Sequence, residues 1–395
     1  MVAVNLPGTL DRAAMTRAIN AFLLRHDTFR SWFTIAPGGE VLRHVVAPEA
    51  VEFVATDHGV LGGAEAIRAH IQEQTSGPFQ WDCFTFGTIE RVGSTTVYIA
   101  VDHLHTDGVA QYISCFDLAA QYALEVGEEP GPLPSPASHL EYCERERGYT
   151  AWLSRASPGV THWVELVRGN GGELPSFPLD LGRRDNDGQR SAHRTIRLFG
   201  EADAVRFEQA CRITGGEFIS GIFAAAAMTE HRLTGSDYYF GMTPISTRVS
   251  PAELASVGWY ATLVPVAFPM GFTSFARVVT SAQHAYRNGM RLAPVSFHRV
   301  LELLSADDEI NVRRGWSAPM ISYIDARNFA GNELFDAAEA GVYTGRAAAD
   351  EVLIWINRFP AETTLSVIFP DTPAAHESVN RYIAVLKSVF VVVAG

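Results

Sequence analysis

Side chains able to transfer protons or bind a cation are concentrated in one six-residue segment of the chain. Asp102, His103, His105 and Asp107 lie in it, and Gly108 follows directly. Histidine suits proton transfer near neutral pH because its unperturbed pKa is about 6.5. Glycine lets the backbone turn tightly or approach a ligand closely. The pattern therefore predicts a catalytic loop with His103 as a candidate general base.

Two other interpretations of this segment stay open on the residues alone. The first is a metal site, because His103, His105 and Asp107 follow the HxHxD start of the metallo-β-lactamase zinc motif. That motif continues with a histidine, and Gly108 stands at the position here. The second is a polar strand end in which the histidines only satisfy hydrogen bonds.

The segments on either side indicate what must position the loop. Residues 95–101 are rich in β-branched side chains, as is typical of a strand. Residues after Gly108 carry apolar side chains at helical spacing, namely Val109, Tyr112, Ile113, Phe116 and Leu118. A polar loop between a strand and a helix is a common way to present catalytic side chains on a rigid support.

The remaining periodicities predict an α/β (α+β) fold. Helices are predicted at 10–24, with Asp11 as N-cap, and at 64–74, 202–213, 218–233 and 376–393. Strands are predicted at 41–46, 84–89, 238–242, 263–268, 320–323, 351–356 and 365–369. The irregular stretch 169–191, rich in Gly and Pro, predicts a connection between two domains, 1–180 and 181–395.

Length and composition agree with this division and exclude several partners. A chain of 395 residues suggests roughly two domains, and 47% hydrophobic residues supply ample core. The formal charge of −13 argues against nucleic acid and anionic membranes. Four scattered cysteines indicate buried thiols in a reducing compartment. No signal peptide is recognisable and the apolar tail 388–395 is far shorter than the roughly 20 residues of a membrane span. We therefore expect a cytoplasmic protein.

The segment DHLHTDG (102–108) resembles the HHxxxDG motif of one acyltransferase superfamily. That superfamily contains nonribosomal peptide condensation domains, polyketide-associated acyltransferases and chloramphenicol acetyltransferase. Alignment on Asp107 and Gly108 puts His103 on the family's second, catalytic histidine. Asp102 stands at the first histidine position, which is a departure from the motif.

Further segments resemble the same family in the correct order. They are LDRAAMTRAINAFLLRHDTFRSWF (10–33), THWVELVRG (161–169), FGMTPISTR (240–248), SVGWYATLVPV (256–266), PMISYIDAR (319–327) and FPDTPAAHESVNRYIAVLKSV (369–389). The segment 319–327 is most familiar from actinobacterial polyketide-associated acyltransferases, some of which acylate trehalose. Family members usually carry a strand and a helix before the helix at 10–33, and Thr262 replaces a family Asn.

The resemblance implies two chloramphenicol-acetyltransferase-like lobes arranged in a V, with the active site at their interface. It implies an acyltransferase in which His103, as general base, moves an acyl group from acyl-CoA or an acyl carrier protein to a hydroxyl. The acceptor would be a sugar such as trehalose, a glycolipid or a specialised metabolite. Asp107, next to Gly108, would form a structural pair with Arg248.

The resemblance also implies a set of substrate contacts: Asp102, Thr243, Trp259, Tyr260, Thr262, Tyr323 and Asp325. Taken alone, Trp259 and Tyr260 are more typical of a core or a pocket wall. No metal and no resident cofactor is expected, because the thioester already supplies activation. The alternatives are a stand-alone, amide-forming condensation enzyme and a catalytically silent homologue that recruits a partner.

Overall fold

The computed structural model describes residues 1–81, 83–183, 190–271, 274–313, 316–329, 341–342 and 350–395. The strands in these ranges are β1 (Val2–Pro7), β2 (Ser31–Ile35), β3 (Val41–Val45), β4 (Phe84–Arg91), β5 (Ser94–Val101), β6 (Ser191–Gly200), β7 (Tyr238–Ser246), β8 (Ala261–Pro269), β9 (Met320–Asp325), β10 (Gly341–Val342), β11 (Leu353–Arg358) and β12 (Glu362–Pro370). The α-helices are α1 (Arg12–Arg25), α2 (Ala64–Gln74), α3 (Gly108–Glu125), α4 (His139–Ala151), α5 (Pro158–Gly169), α6 (Glu201–Ile213), α7 (Phe218–Thr234), α8 (Pro251–Leu254), α9 (Phe275–Met290), α10 (Phe297–Leu303) and α11 (Pro373–Ala394).

The described residues divide into two compact units. The first comprises Met1–Gly148, Ser246–Ala261 and the short strand β10, and the second comprises the rest. Residues 149–180 pack in the second unit, where Trp163 of α5 shares a buried cluster with Phe240 and Phe297. The units therefore divide the chain differently from the predicted lobes 1–180 and 181–395, and that assignment stays a prediction.

The first unit is built on a four-stranded antiparallel sheet with strand order β10-β1-β5-β4. Its strand β5 is hydrogen-bonded on both edges, and Val97 and Ile99 on it are buried. These side chains join an apolar cluster with Phe22 of α1 and Leu118 of α3. The strand that leads into residue 102 is therefore held from both edges and from one face.

The second unit contains a six-stranded mixed sheet with strand order β6-β12-β11-β9-β7-β8. β9 is parallel to both β11 and β7, whereas β12 is antiparallel to β11 and β6. Helix α7 contributes four consecutive buried alanines, Ala224 to Ala227, to the same core as Phe207 of α6 and Phe390 of α11. Small side chains allow this helix to lie close to the sheet.

The mixed helices and sheets confirm the predicted α/β (α+β) class. The predicted helices correspond to α1, α2, α6, α7 and α11, and the carboxylate of Asp11 caps α1 by accepting a bond from the Ala14 N–H at 2.9 Å. Helix α11 begins before the predicted residue 376 because Thr372 caps it and a proline fills its first turn. Strands β1 and β6 and helices α4, α5, α8, α9 and α10 were not predicted.

Among the described residues, no helix combines the length and the apolar character that a membrane crossing requires.

Candidate active site

The predicted catalytic loop forms a single 3₁₀ turn between β5 and α3, over His103–His105. The backbone N–H of Asp102 donates to the carbonyl of Cys83 at 2.9 Å, so the sheet pairing continues one residue beyond β5. The Asp102 carboxylate then closes the turn by accepting a bond from the Leu104 N–H at 3.0 Å. Asp102 thus supports the loop from the position that holds a histidine in the family motif.

The His103 ring is exposed and its orientation is set by one backbone contact. Its Nδ1 lies 2.5 Å from the carbonyl oxygen of Thr106. A carbonyl oxygen only accepts, so in the neutral ring Nδ1 carries the hydrogen and Nε2 keeps the lone pair. The ring centroid lies 5.0 Å from that of Trp259, with 57° between the ring planes. In the neutral His103 ring the nitrogen without a hydrogen is therefore Nε2, and its role as general base stays a prediction.

Asp107 is buried, and its carboxylate joins three backbone and side-chain groups. One oxygen accepts a bond from the Ala110 N–H at 2.7 Å and so caps α3, which begins at Gly108. The other accepts bonds from Arg248 Nη1 at 2.7 Å and from the Tyr260 N–H at 2.8 Å. The predicted pair of Asp107 and Arg248 is thus in contact inside the first unit.

The Arg248 side chain is completely buried and organises the segment that follows it. Nε donates to the carbonyl of Glu253 at 3.1 Å, and Nη2 donates to those of Ser256 and Gly258 at 3.2 and 3.3 Å. The guanidinium carbon lies 4.5 Å from the centroid of the Tyr260 ring. The planar fork of arginine therefore fixes the backbone around residues 253–260.

The next residue, Trp259, is held by a histidine of α4. The Trp259 N–H donates to His139 Nε2 at 3.1 Å, and the Trp259 carbonyl oxygen lies at the same distance from that nitrogen. A Cβ atom on Gly258 would lie 2.4 Å from the His139 ring, so only glycine permits this approach. Burial lowers the pKa of His139 to about 4, and the ring is therefore neutral near pH 7.

His105 has a supporting position rather than an open one. It is 1% exposed, its Nε2 donates to the Ser31 carbonyl at 2.9 Å, and its Nδ1 lies 3.3 Å from Cys83 Sγ. Burial lowers its pKa, and the bond to Ser31 opposes this only in part. Both ring nitrogens are engaged within the protein. Across the part of the chain that is described, no three His, Cys, Asp or Glu side chains are grouped so that they could hold a metal ion.

The remaining predicted contact residues belong to the second unit. Thr243 and Thr262 are both buried there. The hydroxyl of Tyr323 donates to the Asp325 carboxylate at 3.4 Å. Burial opposes ionisation of Asp325, but two bonds from Arg327 at 2.8 and 2.6 Å outweigh it and hold the pKa of this carboxyl below its usual range. Their contacts with substrate stay predictions.

The sequence analysis missed the residues that position Trp259. The Asp27 carboxylate accepts bonds from the Ser138 hydroxyl and, at 2.9 Å, from the His139 N–H, and so fixes the start of α4. The only local signal was the RHD run at 25–27, which carries the family resemblance. Its partner lies 112 residues further along the chain, beyond the reach of any local pattern.

The model of the family described as "Condensation domain" matches residues 1–313. The chain belongs to the condensation-domain family.

Similar proteins within this family are acyltransferases. The "2'-acyl-2-O-sulfo-trehalose (hydroxy)phthioceranyltransferase PapA1" of Mycobacterium tuberculosis is 37% identical, over 98% of this chain and 75% of the relative. The "Trehalose-2-sulfate acyltransferase PapA2" of Mycobacterium bovis is 36% identical, over 98% of this chain and 82% of the relative. The present condensation-domain protein is accordingly an acyltransferase, as predicted.

Solved structures agree on the fold. The structure of "PapA2 acyl transferase" has a TM-score of 0.90 and 34% identity, covering 100% of this chain and 85% of that one. The X-domain from teicoplanin biosynthesis has a TM-score of 0.75 at 20% identity, over 98% of this chain and 89% of that one, and supports the fold alone. The predicted chloramphenicol-acetyltransferase-like fold of condensation domains is therefore confirmed.

Proposed function

We propose that this acyltransferase moves an acyl group from a thioester to a hydroxyl of a sugar, a glycolipid or a specialised metabolite, with His103 as general base. The observation that carries the proposal is the contact between His103 Nδ1 and the Thr106 carbonyl, which leaves Nε2 with the lone pair on an exposed ring. The names of two similar proteins, which specify sulfated trehalose, support a sugar acceptor. The donor would be acyl-CoA or an acyl carrier protein.

In this mechanism His103 moves one proton twice. Nε2 accepts the proton of the acceptor hydroxyl as its oxygen attacks the thioester carbonyl carbon. The tetrahedral intermediate collapses, the carbon–sulfur bond breaks, and the leaving thiolate takes the proton back from Nε2. The products are an ester and a free thiol. The Thr106 carbonyl accepts from Nδ1 throughout these steps and so holds the ring in one orientation.

Asp107 would position the loop and would not transfer protons. Its oxygens are bonded to the start of α3, to Arg248 and to the Tyr260 N–H. This connects the loop that carries His103 to the segment that carries Trp259. The proposal needs no metal and no resident cofactor, because the thioester is already activated. The four scattered cysteines are typical of a reducing compartment and support a cytoplasmic location.

The test is the release of free thiol from short and long acyl-CoAs, with and without trehalose or glycerol as acceptor. We expect acceptor-dependent release, lowered about 10²–10⁴-fold in His103→Ala because a positioned base contributes that much. His284→Ala, at an exposed histidine of α9, is the matched control and should behave like the wild type.

Four outcomes would contradict the proposal. Release that survives His103→Ala removes this residue as base. Thiol release that depends on amine acceptors alone makes the protein an amide-forming condensation enzyme. The absence of transfer from acyl-CoA and from acylated carrier proteins makes it a silent, partner-binding homologue. A chelator is expected to leave thiol release unchanged. Loss of thiol release in the presence of a chelator would instead support the zinc site.

A further inference from the structure

A large aromatic side chain is left partly open beside the proposed base. Trp259 is 38% exposed, and its ring centroid lies 5.0 Å from that of His103. Single exposed apolar residues are common on proteins and carry no meaning by themselves. The position beside His103 and the way in which Trp259 is held are what distinguish it.

Trp259 is fixed both at its side chain and at its backbone. The indole Nε1–H donates to the carbonyl of Ala261 at 3.0 Å, so the only polar group of the ring is used within the protein. His139 Nε2 lies 3.1 Å from both the N–H and the carbonyl oxygen of Trp259. The backbone on either side is held by Arg248, through Gly258, and by Asp107, through Tyr260.

The result is a rigid apolar face with no hydrogen-bond donor of its own to offer a ligand. Such a face suits a ligand that is flat and apolar on one side and polar around its edge. A pyranose ring has this character, since its C–H groups point to the two faces and its hydroxyls radiate from the edge. A ring stacked on the indole would direct a hydroxyl toward His103. An open-chain polyol has no persistent face of this kind.

We propose that Trp259 is the specificity-determining surface on which the acceptor sugar ring stacks beside His103, and that His139 is the positioning residue that holds Trp259 there. The inference rests on the proposed function for its hydroxyl acceptor, and it adds the acceptor class and the residue that selects it. A preorganised aromatic surface loses little conformational entropy on binding, which favours a cyclic acceptor over a flexible one.

The test compares trehalose with sorbitol as acceptors for the full chain, with one acyl-CoA donor. Trp259→Ala should raise the KM for trehalose about tenfold, and leave the KM for sorbitol and for the donor unchanged. Trp259→Phe, which keeps a flat ring, should retain most of the preference. His139→Gln should shift the trehalose KM in the same direction as Trp259→Ala, by less. Trp152→Ala, at a tryptophan that is 89% exposed, is the matched control.

Equal increases in the KM for trehalose and for sorbitol, or a change in the donor KM alone, would overturn the assignment. Trehalose binding by calorimetry separates this failure from failure of the proposed function, because it needs no turnover. Binding that is lost in Trp259→Ala and kept in Trp152→Ala supports the inference even in a chain that transfers no acyl group. No binding to the wild type, or equal binding to both variants, overturns it. Trp259→Leu, which keeps apolar volume without a flat ring, serves if the alanine variant does not fold.

Discussion

Removal of the Asp107 carboxylate tests how the proposed site is held together. In the wild type this carboxylate caps α3 through the Ala110 N–H and neutralises the buried guanidinium of Arg248 at 2.7 Å. It also accepts the Tyr260 N–H. Asp107→Ala removes all of these contacts at once. It leaves Arg248 with its carbonyl partners but without an opposite charge.

The expected cost follows from the contacts. Loss of an N-cap typically lowers the free energy of unfolding by about 1 kcal/mol. Removal of one partner from a buried ion pair costs roughly 3–5 kcal/mol, because the other charge is left uncompensated. We therefore expect Asp107→Ala to lower the unfolding free energy of the first unit by roughly 4–6 kcal/mol. Natural domains have about 5–15 kcal/mol in total, so this variant should be close to unfolding.

A double-mutant cycle isolates the contribution of the Asp107–Arg248 charge pair to the free energy of unfolding. Asp107→Asn keeps an oxygen for the cap, and Arg248→Met keeps much of the apolar volume. Each single change should lower the free energy of unfolding by about 3 kcal/mol. The double variant should lose at least about 2 kcal/mol less than the sum of the two single losses, because it leaves no unpaired buried charge. Urea unfolding measures the cycle, and thiol release measures activity in each variant. Asp57→Ala, which removes an exposed partner of Arg12, is the control and should leave the unfolding midpoint unchanged.

The reasoning is refuted if the two single changes are additive, which would mean that the pair does not act as a unit. It is also refuted if Asp107→Ala unfolds at the wild-type urea concentration and transfers acyl groups at the wild-type rate.

Two further predictions concern His139 and its neighbour. Gly258→Ala places a methyl group 2.4 Å from the His139 ring, and should lower the unfolding free energy by roughly 1–3 kcal/mol and reduce acceptor-dependent thiol release. Gly148→Ala, in open space on α4, should instead stabilise the protein by about 0.5–1 kcal/mol, and equal effects in urea unfolding would contradict both expectations. The pKa of His139 is about 4 in the folded chain and about 6.5 in the unfolded one, so the unfolded state takes up the proton first as the pH falls. Stability should therefore decline between pH 6.5 and 4, by roughly 3 kcal/mol at most, and an unchanged decline in His139→Gln would show that another group is responsible.

The elements that the sequence predicted well are those with strong local patterns. Helix α1 has apolar residues at helical spacing behind an Asp11 cap, and α7 carries a run of alanines, which are strong helix formers. Strand β1 was missed because it is short and its pairing partner β5 lies about ninety residues further on. Helix α4 was missed because its sequence, HLEYCERERGYTA, is mostly polar, and only His139 and Tyr142 on it are buried.

The candidate site likewise has some features that the local sequence sets and others that depend on tertiary packing. The sequence by itself determined that His103 and Asp107 stand at the two ends of one short loop, because a few residues between a strand and a helix leave the backbone few alternatives. Only the tertiary structure decided which nitrogen of His103 keeps its lone pair, and that His139 holds Trp259 beside it. The first feature depends on the folded conformation of the loop, which places the Thr106 carbonyl against His103 Nδ1. The second depends on hydrogen bonds between segments more than a hundred residues apart, between His139 and Trp259 and between Asp27 and His139. Such bonds form when the unit packs, and no pattern within a single segment specifies them.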